Sequence, residues 1–116
     1  MKTKSFKDLI VWQKARDLAV AIYKLTDGFP KSELYGLTNQ MRRAAVSISS
    51  NIAESYNRFH LKEKQQFLAI AFASGSELES QIEVAKLLFP TLDYKEIETL
   101  LSEVMRILNR LLKSSF

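Results

Sequence analysis

The sequence predicts an all-α fold, an antiparallel up-down-up-down four-helix bundle. Three observations carry that expectation. Apolar residues recur every three or four positions through four long stretches, the period of a helix with one buried side. Breakers separate the stretches, among them Gly28, Pro30 and Pro90, and the short connections favour antiparallel neighbours. No stretch alternates with the period of a strand. Residues 1–116 are expected to form a single domain, long enough to bury a core.

The first helix is expected over about residues 6–26. Val11, Ala15, Leu18, Ile22 and Leu25 make its core stripe, and Trp12, Ala19 and Tyr23 a second stripe beside it. Together they span roughly 160° of the helix, more than one groove of a lone bundle needs. Trp12, Ala19 and Tyr23 are therefore the expected oligomer interface. Gly28 is expected to take a left-handed cap position, and Pro30 to stop the helix. Phe29 is expected to fold back over the bundle end. Ser32 is the expected N-cap of the next helix, with Glu33 in its first turn and Gly36 interrupting its start.

The second helix runs to about residue 56. Leu37, Met41, Ala45, Ile48 and Ile52 form its apolar stripe. Beside them Gln40, Arg43, Ser47, Asn51 and Glu54 form a polar one, rich in short groups that solubilise poorly and favour helices weakly. The third helix is expected over about residues 62–88, with Phe67, Ala71, Ser74, Leu78, Ile82 and Ala85 inward and Glu77 and Gln81 on the margin. Pro90 ends it. Asp93 is the expected cap of a fourth helix over about residues 94–113, with Ile97, Leu100, Leu101, Val104, Leu108, Leu111 and Leu112 on a broad apolar face.

Helices two and three form a hairpin centred near residue 60. That register sets Ser47 opposite Ser74, Arg43 opposite Glu77 and Gln40 opposite Gln81. A structural polar layer through the hairpin follows, made of Gln40, Arg43, Ser47, Asn51, Glu54, Ser74, Glu77 and Gln81 and centred on an Arg43–Glu77 pair. A desolvated pair of that kind fixes register more than it stabilises.

RRAAVSISSNIAES, with FKDLIVWQKA and IYKLTDGFP upstream, resembles the 23S rRNA intervening-sequence proteins, also called the four-helix bundle protein family. The resemblance covers about residues 6–112. Ser55 stands where the family usually has Gly after Asn-Ile-Ala-Glu. What the resemblance implies is a homo-oligomer, often a pentamer. It also implies a suspected association with ribosomal RNA, inferred from gene location, and no known catalysis.

Composition narrows the chemistry. There is no cysteine, so disulfide and thiolate chemistry are excluded. The one histidine, His60, lies in an expected loop, so a Ser–His–Asp set has no support, and the three glycines stand too far apart for a phosphate loop. A di-metal carboxylate site in a bundle needs two Glu-x-x-His motifs, which the chain lacks. The expectation is a non-enzyme with no cofactor, no metal and no small-molecule substrate. No apolar run approaches the ~20 residues of a membrane span, and MKTKSFKDLI lacks the apolar core of a signal peptide. No membrane partner and a cytoplasmic location are expected.

The net charge of +4 is uneven. Residues 1–62 carry 11 basic against 5 acidic side chains, and residues 63–116 carry 6 against 8. In the expected topology one bundle end gathers Lys2, Lys4, Lys7, Arg58, Lys62, Lys64, Arg110 and Lys113. The other gathers Asp27, Glu33, Asp93, Glu96 and Glu98, with Lys31 and Lys95. The basic end is the expected nucleic-acid-binding surface, RNA first, with little sequence preference. The rival expectation is a scaffold that recruits a partner protein through its apolar flank without touching nucleic acid.

Overall fold

A computed structural model describes residues 4–113 of the chain. Within them lie four α-helices and no strand: α1 (Ile10–Thr26), α2 (Asn39–Tyr56), α3 (Leu61–Leu88) and α4 (Lys95–Lys113). Helix α2 packs on α1 and, most extensively, on α3; α4 packs on α1 and α3. The shared core includes Leu18, Ile22, Met41, Ile48, Ile52, Leu78, Ile82, Val104 and Leu108, each almost wholly withdrawn from water.

The first helix starts later than its periodicity suggested. Ser5 accepts a hydrogen bond from the Lys7 N–H and caps a short 3-10 turn, Phe6–Asp8. The Asp8 carboxylate accepts from the Lys4 N–H, and Leu9 is extended before α1 begins. Local side-chain bonds to the backbone outcompete helix there. Gly28 is a second correction, since it has no positive φ. The end of α1 instead tightens through Gly28 N–H to Leu25 O and Phe29 N–H to Thr26 O bonds. Phe29 is buried over that end, its ring centroid 4.7 Å from that of Phe89.

Ser32 is not the N-cap of α2; it lies inside a 3-10 turn, Lys31–Glu33. Glu33 caps the wide turn that follows, Leu34–Thr38, by accepting from the Leu37 N–H; that turn breaks at Gly36 and leads into α2 through Thr38, whose side chain makes no capping bond. A Cβ on Gly36 would come within 2.9 Å of the Glu33 Oε1, so glycine admits the capping carboxylate. Gly75 plays the same part between α3 and α4, where a Cβ would collide with the Met105 sulfur.

Asp93 caps α4 by accepting from the Lys95 N–H at 3.0 Å. Tyr94, expected as the first helical residue, is buried just outside and donates its hydroxyl to Ala85 O and Phe89 O. The hydroxyl adds a second donor to Ala85 O, which already accepts from the Phe89 N–H, and ties the start of α4 to the end of α3. Burial raises the Tyr94 phenol above its usual pKa.

Candidate nucleic-acid interface

The α2–α3 connection is built by its own basic residues. The Lys64 ammonium donates to Ser55 O and Tyr56 O, two carbonyls at the end of α2. A cation suits that end of a helix. Ser55, the residue that stands in place of glycine, is buried and donates its hydroxyl to Lys64 O at 3.0 Å. Arg58 pairs with Glu54 at 2.6 Å, and its guanidinium lies 4.8 Å from the Phe67 ring centroid. Arg58 and Lys64 are thus largely engaged within the connection.

The other basic positions differ. Lys4, Lys7, Lys62, Arg110 and Lys113 are exposed. Among the described residues, none of their side chains makes a hydrogen bond or ion pair. Lys2 lies outside the described residues. Phe59, at the apex of the connection, is 95% exposed.

The polar layer divides. Ser47 and Ser74 meet hydroxyl to hydroxyl at 2.8 Å, and the Asn51 amide donates to Ser47 O and Ser47 Oγ. Gln81 is buried and donates to Glu77 Oε2 at 3.1 Å. The buried Arg43–Glu77 pair is not formed: both side chains are exposed, and no ion pair joins them among the described residues. Gln40 is exposed too, and Glu54 is turned to Arg58. Gln40, Arg43, Ser47, Ser74 and Glu77 instead line a shallow cleft of about 310 Å³. A long charged side chain at the margin of a helix keeps its head in water, because full desolvation of the pair would bring little net gain. Arg43→Ala is accordingly expected to change the unfolding free energy by less than about 0.5 kcal/mol. A denaturant titration giving a loss of several kcal/mol would restore the buried pair.

On the α1 flank, Trp12 and Ala19 are half-buried against the core. The Trp12 ring meets Phe6 edge-on at 5.0 Å, with the Arg16 guanidinium 5.4 Å away. Tyr23 is 45% exposed beneath the Arg42 guanidinium, 4.5 Å from its ring centroid. Arg42 went unremarked in the sequence. It donates to Thr26 Oγ1 and to Asp27 Oδ1, tying α2 to the end of α1. Thr26 and Asp27 lie 16 and 15 residues away in the sequence, so the periodicity of one helix carries no signal of the contact. Lys14 pairs with Glu103 between α1 and α4, and Lys86 with Glu98 between α3 and α4. The hydrogen bond that Lys86 donates to Glu98 raises the Lys86 pKa against the opposing effect of burial.

No group of three or more His, Asp or Glu among the described residues is placed to hold a metal ion. No helix among them is long and apolar enough to cross a membrane.

The model of the 23S rRNA-intervening sequence protein family matches residues 7–110, nearly the whole chain. The chain belongs to that family. A solved protein of unknown function from the S23 ribosomal protein family of Bacteroides thetaiotaomicron shares the fold, with a TM-score of 0.76. It is 22% identical, over 90% of this chain and 99% of that one. No curated protein matches. Membership in the family brings no established activity with it.

Proposed function

We propose that this family member is a non-enzymatic, cytoplasmic subunit that assembles with copies of itself and binds RNA through one basic end. The reading takes the four helices as an antiparallel up-down-up-down bundle. Its supports are the Ser47–Ser74 and Ser55–Lys64 contacts along the α2–α3 hairpin. The Lys14–Glu103 pair, with Lys24 sharing a groove with Asp93 and Glu96, supports the same arrangement of α1 and α4. In that topology the first 3-10 turn, the α2–α3 connection and the end of α4 share one end.

The observation that carries the RNA reading is the set of exposed cations there, Lys4, Lys7, Lys62, Arg110 and Lys113, which form no ion pair among the described residues. They come from three segments far apart in the chain, so their convergence in that topology makes a local positive field rather than a run of solvated charge. Repetition around a ring of subunits, a pentamer as the family resemblance implies, would add weak phosphate contacts by multivalency.

The scaffold reading keeps one specific support. Tyr35 is 91% exposed and Leu87 85% exposed, apolar groups suited to a partner protein. One experiment separates the two readings: solution mass by light scattering at micromolar concentration, with and without RNA across a salt series. Assembly larger than a monomer, with RNA affinity that falls steeply with salt, is the expected result. A monomer rules out the assembly, and absence of RNA binding leaves the scaffold ahead.

A further inference from the structure

Phe59 is the most exposed large apolar residue among the described residues, at 95%. It stands at the break between α2 and α3, where Arg58 N–H still bonds to Ser55 O and helix resumes at Leu61. The other aromatics of this connection are already covered by cations of the same chain. Arg58 lies over Phe67, and Lys64 reaches toward Tyr56. The anchors on either side of the apex, Glu54 to Arg58 and Lys64 to Ser55 O and Tyr56 O, hold the segment without engaging the Phe59 ring. Lys62, three residues on, is exposed and forms no ion pair among the described residues.

We infer that Phe59 is a stacking platform for an unpaired base, so that the basic end takes single-stranded RNA in preference to duplex. The inference rests on the RNA reading above and deepens it. An aromatic face can accept any base once that base is free of its own stack, whereas the bases of an A-form helix are already stacked on each other. The neighbouring cations neutralise phosphates on either kind of RNA. The ring is the element that distinguishes them, and because it offers no hydrogen bond to a base edge it adds little sequence preference.

The test uses the full chain at low salt with two labelled probes, an unstructured twelve-nucleotide oligouridine and a twelve-base-pair RNA duplex. The natural protein is expected to bind the single strand more tightly. Phe59→Ala should weaken that binding roughly five- to hundredfold and leave duplex binding unchanged, while Phe59→Tyr retains it. The salt dependence should be the same in all three proteins, since no charge is altered. Equal affinity for the two probes, or a Phe59→Ala protein that binds like the natural one, overturns the inference while leaving the RNA reading intact. A Phe59→Ala protein of altered assembly mass also overturns it, because the ring would then be a subunit contact. If the natural protein binds neither probe, the RNA reading itself falls and takes the inference with it.

Discussion

Leu78→Ala is expected to lower the unfolding free energy by about 2–5 kcal/mol, the largest single-residue loss anticipated in this chain. Leu78 is wholly buried on α3, on the side that carries Gly75 one turn before and Ile82 one turn after. A close-packed interior relaxes only in part around a truncated side chain, so a cavity remains where the leucine was. A domain of this size has about 5–15 kcal/mol of total stability, so the loss is a large share of it. Val84→Ala on the same helix is the control: Val84 is 47% exposed, and its truncation should cost less than about 0.5 kcal/mol. Urea titrations at one protein concentration would compare the midpoints at constant slope. A Leu78→Ala loss no greater than that of Val84→Ala would mean that the α2–α3 core is not packed as described.

Replacing Lys7, Lys62, Arg110 and Lys113 together by Gln is expected to weaken RNA binding by a factor on the order of 10²–10³ near 0.1 M salt. It should also flatten the salt dependence by about three units of logarithmic slope for single-stranded RNA. These four are chosen because they are exposed and free of ion pairs among the described residues. Arg58 and Lys64 are left in place. Lys64 closes the end of α2 and Arg58 is paired with Glu54, so their removal would disturb the connection as well as the field. Gln keeps most of the aliphatic stem and the polarity, and the four exposed sites contribute nothing to the core. The control replaces Lys24, Lys31 and Lys95 by Gln; all three are exposed and lie toward the opposite end in the proposed topology. Affinity and slope should then hold nearly constant. Equal losses from the two sets would indicate diffuse attraction to a basic protein and no located interface. No loss from the first set would remove the RNA reading.

By itself the sequence determined what depends on near neighbours along the chain. The four helices follow from apolar spacing, and the ends of the first and third at Thr26 and Leu88 from the breakers beside them; both signals act within a few residues. The Ser47–Ser74 contact was legible as well, because a short connection near residue 60 leaves little freedom of register between the two helices. The family was legible from RRAAVSISSNIAES together with FKDLIVWQKA and IYKLTDGFP upstream.

Tertiary structure alone decided how the long polar side chains are used. Arg42, Arg43, Arg58, Lys62 and Lys64 are equivalent as sequence, yet they end in different places. Arg42 binds Thr26 and Asp27 across the α1–α2 contact, while Arg43, its neighbour, turns to water. Lys64 is drawn to the carbonyls at the end of α2, which are within its reach only because α2 stops beside it, while Lys62 remains exposed. Likewise, glycine at residue 28 offered a left-handed cap that the chain did not adopt, since i to i+3 hydrogen bonds already close the end of α1. Periodicity fixes the direction in which a side chain leaves its helix. The group it meets is set by the neighbouring helix, and for a flexible cation that choice turns on small differences between a partner and water.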